Sequence, residues 1–136
     1  MNSELKVIIF EEKNVLQELL NLLDEQYKLI LSRDLIKIQK IANDIEYLGK
    51  NLANIELKRR GFIGEERFKD IINNSEDNHI KEAYESIKSI LVDIESQKEI
   101  NDTLIKQQLF FTSKMINLIK PSKNIGIYNS YGKVDR

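Results

Sequence analysis

One histidine is the first residue whose type and spacing could support metal or acid-base chemistry. His79 follows Glu76 by three positions, the Glu-x-x-His spacing that di-iron carboxylate bundles use on two of their helices. Because the 136-residue chain has a single histidine, the second half of such a site cannot form. Neither Gly-x-Ser-x-Gly nor a phosphate-binding glycine-rich loop is present. The residues therefore predict no enzyme, no metal and no cofactor, and His79 is expected to be solvent-exposed.

Cysteine content and charge exclude further classes of site. The absence of cysteine excludes disulfides, thiolate catalysis and Cys-based zinc or iron-sulfur sites. The 21 basic and 22 acidic side chains give a formal net charge of -1, which argues against nucleic-acid binding. The apolar run near the start is only four residues, from Val7 to Phe10, which predicts neither a signal peptide nor a membrane span. We expect a soluble, cytoplasmic protein.

Glycine and proline are scarce in the first 120 residues, and apolar residues recur at helical spacing. This pattern predicts an all-α fold: an antiparallel bundle of three long helices, a short connector helix between the second and third, and a flexible C-terminal tail. The predicted domains are the helical bundle at 1–119 and a flexible basic tail at 120–136. The helices are expected at about 3–31, 34–60, 65–72 and 76–119.

The second helix has the most regular periodicity in the sequence. Its apolar residues alternate steps of three and four, as in a coiled coil: Ile38, Ile41, Ile45, Leu48, Leu52 and Ile55. Asp34 is a candidate N-cap, and Asn74 or Ser75 could cap the last helix. At the other end, the basic run 58–60 suits a solvated last turn, and Gly61 is expected to end the helix in the left-handed conformation.

The last helix changes character halfway along. Its first half carries an apolar seam, predicted as Ile80, Tyr84, Ile87, Leu91 and Ile94. The same steps then reach polar residues, including Lys98 and Asn101, while apolar residues continue on a neighbouring track. We interpret the second half as a face offered partly to another chain. The alternative is a helix that bends and buries these residues itself.

The tail after Lys120 is basic and contains Gly126 and Gly132. It also carries apolar and aromatic groups without a regular period, among them Tyr128 and Tyr131. Two interpretations stay open, a short linear docking motif and an incidental disordered end.

Three segments together resemble the FlgN-like family of flagellar type III export chaperones. They are IELKRR at the end of the second helix, EINDTLIKQQLFF in the last helix, and YNSYGK in the tail. The family pattern tends toward an arginine, an asparagine before a Leu-Leu-like pair, and a tyrosine near glycine. Arg59 or Arg60, Asn101 with Leu104 and Ile105, and Tyr131 with Gly132 occupy those places. A second asparagine often seen after the first has no clear counterpart here.

The resemblance implies a cytoplasmic chaperone that binds the helical ends of hook-filament junction proteins, prevents their premature assembly and escorts them to the export gate. In agreement with the interpretation of the last helix, the expected partner-binding residues are Asn101, Leu104, Ile105, Gln108, Phe111, Met115 and Ile119. Asn101 and Gln108 would set register through hydrogen bonds. The resemblance implies that Tyr131 docks at the export gate, or Tyr128 if the alignment with the family pattern is shifted by a few residues.

A second hypothesis is a non-enzymatic scaffold or adaptor whose helices associate with copies of themselves. The regular seam of the second helix also suits a homodimeric coiled coil. The two hypotheses are compatible, since an empty chaperone can self-associate.

Overall fold

The structure, a computed structural model, describes residues 3–119, except for the side chains of residues 65 and 66. The described residues form four helices and no strand: α1 (Ser3–Ser32), α2 (Leu35–Phe62), α3 (Glu65–Asn74) and α4 (Asn78–Ile119). The all-helical class is thus confirmed, and each helix end lies within two residues of its expected position. The expected tail, 120–136, lies outside the described residues. Within residues 3–119, no helix is long and apolar enough to span a membrane.

The turn between α1 and α2 consists of Arg33 and of Asp34, the expected N-cap. Arg33 adopts a left-handed conformation with φ of 58°. The Asp34 carboxylate then accepts a hydrogen bond from the Lys37 backbone N–H at 3.1 Å, which caps α2. The chain reverses here, so α1 and α2 run antiparallel.

The end of α2 differs from the expectation. Gly61 lies inside the helix, which continues to Phe62, and the C-cap Ile63 is extended, with φ of -164°. The Ile63 N–H donates to the Arg59 carbonyl at 3.2 Å, so no left-handed residue is needed. Ile63 also packs against the buried core, and this burial favours an extended exit over a glycine turn.

The start of α4 also differs, because Asp77 takes the capping role that the sequence suggested for Asn74 or Ser75. Its carboxylate accepts the His79 backbone N–H at 2.9 Å, and its own N–H donates to Ser75 Oγ at 3.1 Å. These bonds satisfy amide groups that an uncapped helix start leaves without partners. His79 is exposed, as predicted.

Backbone contacts divide the chain into two compact units, residues 1–101 and residues 102–136. The described part of the first unit has one apolar core to which α1, α3 and α4 contribute buried side chains and α2 contributes the half-buried Leu52. The buried core residues are Leu5, Ile9, Leu16, Phe68, Ile72, Ile80, Ala83, Ile87 and Ile90. Along α2, alternate members of the predicted seam are buried, namely Ile41, Leu48 and Ile55.

Arg59 is a correction to the solvated basic face expected at the end of α2. Its side chain is 9% exposed, and its Nε lies 3.3 Å from a carboxylate oxygen of the equally buried Glu12 on α1. The guanidinium carbon lies 4.6 Å from the centre of the Phe68 ring, which in turn meets the Tyr84 ring edge to face. The charge is buried because an opposite charge and an aromatic face surround it. Of the two arginines in the family-like segment, Arg59 is therefore the one inside the bundle.

The seam of α4 is a second correction. Ala83 and Ile90 are buried, whereas Leu91 is 45% exposed. Further along the helix, Ile100 is 45% exposed, whereas Asn101 is fully buried. Periodicity by itself could not choose between Ile90 and Leu91, since both fit a helical step of three or four. The positions of the neighbouring helices decided which one is buried.

Candidate partner-binding surface

The second half of α4, residues 102–119, carries most of the residues predicted to bind a partner. None of these eighteen side chains is buried in the structure. Several large apolar groups are strongly exposed: Leu109, Phe111, Met115, Ile116, Leu118 and Ile119. Helices of globular proteins normally bury such groups, so this exposed stretch is a candidate interaction surface.

The exposed apolar groups share one side of the helix. At about 100° per residue, Leu104, Gln108, Phe111, Met115 and Ile119 fall within one stripe. Ile105, Leu109 and Ile116 lie beside that stripe and widen it to about 180° of the circumference. We call this half of the helix the α4 surface. Its width suits an amphipathic helix of a partner, which would cover it along several turns.

The opposite side of the same segment is mainly polar. It carries Lys106, Ser113 and Asn117, together with one aromatic residue, Phe110, whose ring is 66% exposed. The Lys114 ammonium lies 5.4 Å from the centre of that ring, at cation-π distance. Phe110 and Phe111 are thus neighbours in sequence with similar exposure but lie about 100° apart around the helix.

Six of the seven predicted partner-binding residues lie on or at the edge of the α4 surface. Phe111, Met115 and Ile119 are exposed, and Leu104, Ile105 and Gln108 are half-buried. The exposed three can contact a partner directly, whereas the half-buried three would contribute only part of their surface. Exposure alone does not show that a residue contacts a partner, so the assignment of these residues to partner binding stays a prediction.

Asn101 is the exception, and here the expectation needs correction. Its side chain is 0% exposed, and its amide nitrogen donates to the Leu23 carbonyl and to the Gln26 side chain, each at 2.9 Å. Its oxygen accepts a hydrogen bond from Gln97 at 3.0 Å. All these partners belong to the first compact unit. In this conformation the Asn101 amide is therefore occupied within the bundle and not accessible to another protein.

The sequence interpretation did not include Leu109 and Ile116 among the binding residues. Together with Ile105 they recur at steps of four and seven, which places them on one edge of the α4 surface. That spacing could have identified them, had the apolar face been treated as wider than a coiled-coil seam. The two residues predicted for export-gate docking, Tyr128 and Tyr131, lie outside the described residues.

The described residues hold no arrangement typical of metal or acid-base chemistry near the α4 surface. Across residues 3–119, no group of three or more His, Asp or Glu side chains is placed to hold a metal ion. In the first unit, a hydrogen bond from Lys6, 2.9 Å away, lowers the pKa of the Asp77 carboxyl.

A surface depression lies in the first unit, beside the end of α3 and the start of α4. Both signs of charge line it: Lys6 and Arg67 are the cations, and Asp70, Glu76 and Asp77 are the acids. Because Lys6 already pairs with Asp77, the depression does not present one sign of charge to a ligand.

Comparison with known proteins supports the family suggested by the three sequence segments. A family model described as FlgN protein matches residues 1–136. No curated protein and no solved structure gives a significant match. The family match includes the bundle, the α4 surface and the segment with Tyr128 and Tyr131. Since it spans the whole chain, the protein belongs to the FlgN family.

Proposed function

We propose that this protein is a flagellar type III export chaperone. It binds the helical ends of hook-filament junction proteins through the α4 surface, prevents their premature assembly and delivers them to the export gate. FlgN family membership supports the flagellar chaperone role. The observation that supports this binding site is the α4 surface, with its exposed apolar side chains between residues 102 and 119.

The binding step needs no covalent chemistry. A partner helix placed along the α4 surface would cover Phe111, Met115 and Ile119 and remove their apolar area from water, which is the main driving force for such association. The same helix would be unable to pair with its assembly partners while covered. A cytoplasmic location and a non-enzymatic role follow as parts of this proposal.

Delivery is assigned to the tail. Tyr131 is proposed to dock at the export gate, with Tyr128 as the neighbouring alternative. Because these residues are distinct from the α4 surface in sequence, client binding and gate docking are separable functions. A chain in which Tyr131 and Tyr128 are both replaced by Ala is expected to bind the hook-filament junction protein, its client, with unchanged affinity. Export of that client is expected to fall.

The decisive experiment uses two neighbouring phenylalanines. Phe111→Asp places a charge on the α4 surface, and Phe110→Asp places the same charge on the polar side one residue away. Binding to the purified C-terminal helix of a hook-filament junction protein is measured by isothermal titration calorimetry. We expect Phe111→Asp to weaken binding by about 100-fold and Phe110→Asp to change it by less than about threefold.

Three outcomes would contradict this assignment. Equal losses in both variants would show that the segment does not bind through one face. Unchanged binding in the Phe111 variant would remove that face as the site. No binding by the wild-type chain, together with concentration-dependent mass in sedimentation, would favour the self-associating scaffold. Circular dichroism of each variant checks that helical content is retained.

A further inference from the structure

A polar residue interrupts the repeating seam of α4 at Asn101. Ile80, Ile87, Ile94 and Asn101 follow one another at intervals of seven, the spacing that keeps side chains on one line of contact between helices. The first two are buried, Ile94 packs against the core, and Asn101 is 0% exposed. Asn101 therefore occupies a position that the repeat would give to isoleucine.

The surroundings of Asn101 account for its burial. Both amide hydrogens are donated, one to the Leu23 main-chain carbonyl and one to the Gln26 side chain on α1, and the amide oxygen accepts from Gln97. The two contacts to α1 are both 2.9 Å long. A buried side-chain amide satisfied in this way tolerates little displacement, because a lost partner leaves a polar group unpaired in an apolar interior.

The apolar contacts around it do not define one alignment of the two helices. On α1 the buried residues Ile9, Leu16, Leu23 and Ile30 also recur every seven residues. Sliding α4 along α1 by one repeat, about 10 Å, would again place aliphatic side chains opposite aliphatic side chains. The contact between Lys6 and Asp77 opposes such a shift only weakly, because both side chains are partly exposed.

We infer that Asn101 is a positioning residue that fixes the register of α4 on α1. In a shifted alignment its amide would face aliphatic side chains, and the polar group of Gln26 would lose its partner. The ion pair between Glu12 and Arg59 is the corresponding buried polar contact between α1 and α2. Buried polar contacts that the apolar repeats cannot supply thus join α1 to both α2 and α4.

This inference does not depend on the proposed function, because register is measured without any partner. The chain has no cysteine, so two introduced cysteines can carry spin labels without background labelling. Asn14 on α1 and Glu99 on α4 are both exposed and suit this purpose. Distances between the labels are measured by pulsed electron paramagnetic resonance in wild-type, Asn101→Ile and Asn101→Leu backgrounds. Ile94→Val, an apolar change one repeat earlier, is the matched control.

The wild-type and Ile94→Val chains are expected to give one narrow distance. Asn101→Ile completes the aliphatic repeat and is expected to add a second distance several ångströms away, with Tm equal to or above that of the wild type. One unchanged distance in both Asn101 variants would overturn the inference. Loss of helical content in both would also overturn it, because the amide would then be required for folding and not for register.

Discussion

In residues 78–101 of α4 the apolar residues of the heptad repeat are mostly buried, whereas in residues 102–119 of the same helix no side chain is buried. Both parts are continuous helix, and both carry apolar residues at steps of three and four. Ile90 and Phe111 lie three heptads apart on the same line of α4, yet one is 7% and the other 54% exposed. The spacing of apolar residues thus shows which face of a helix favours burial. It does not show whether a helix of the same chain or another protein covers that face.

The polar residues show the same contrast. In the first unit, Arg59 and Asn101 are buried and each contacts another helix. In residues 102–119, Lys114 is exposed, and its ammonium group contacts the Phe110 ring on the same helix. Buried polar groups thus join helices in the first unit, whereas Lys106, Ser113 and Asn117 in the second half of α4 are exposed on the side opposite the apolar face.

The largest expected effect comes from the buried ion pair. Arg59→Ala removes the partner of a buried carboxylate at Glu12, and we expect a loss of about 3 to 5 kcal/mol in the free energy of unfolding. Urea denaturation followed by circular dichroism measures it. Replacing both residues, Glu12→Leu with Arg59→Met, should cost clearly less than Arg59→Ala. An equal or larger loss in the double variant would contradict this account.

The next largest effect is expected from truncating a buried apolar side chain. Ile80→Ala removes a fully buried side chain of the first unit and should lower the free energy of unfolding by about 2 to 4 kcal/mol. Leu118→Ala removes a side chain that is 81% exposed and should change it by less than about 0.5 kcal/mol. Comparable losses in thermal or urea unfolding would mean that the α4 surface is covered in the free protein.

A smaller effect is expected from pH. The hydrogen bond from Lys6 lowers the pKa of Asp77 in the folded state, below the value of about 3.9 for an unfolded aspartate. The contact therefore stabilises the fold above that pH, and the contribution is lost as pH falls through the lowered pKa. The difference in the free energy of unfolding between wild type and Lys6→Met should shrink as the pH decreases from about 6 toward about 3, where Asp77 becomes protonated. A constant difference in urea titrations would contradict it.

The smallest effect concerns an ion pair on the surface of the first unit. Lys50 lies 3.5 Å from Glu46, one helical turn away, and both side chains are about three-quarters exposed. Solvent screens such a pair, so Lys50→Ala should change the free energy of unfolding by no more than about 0.5 kcal/mol. A loss approaching that of Arg59→Ala would show that exposure does not separate the two kinds of ion pair in this protein.

The helices could be predicted from local signals. Scarce glycine and proline, apolar spacing and the cap at Asp34 are properties of nearby residues, so four helices were expected within two residues of their ends. The ends that were assigned to the wrong residue depend on more distant groups. Gly61 stays inside α2 because Ile63 packs into the core, and Asp77 caps α4 with help from Ser75. Packing of this kind cannot be inferred from a local pattern.

The candidate site was predictable in part for a related reason. Phe111, Met115 and Ile119 form an apolar stripe that helical spacing alone identifies, and the structure leaves them exposed. Asn101 looked like a surface residue because a polar side chain in a seam usually indicates solvent. Its hydrogen bonds to Leu23 and Gln26 join residues more than seventy positions apart. Only the folded chain brings those groups together.

From its sequence this chain is identifiable as helical, with no cysteine and one histidine, and with an apolar face along the second half of α4. These properties depend on residue type and on spacing of three and four, which operate within one helix. The tertiary structure decided which polar residues are buried, which member of each apolar pair faces the core, and which apolar face stays exposed. Those outcomes depend on neighbouring helices, because burial is a property of a contact between elements and not of either element alone.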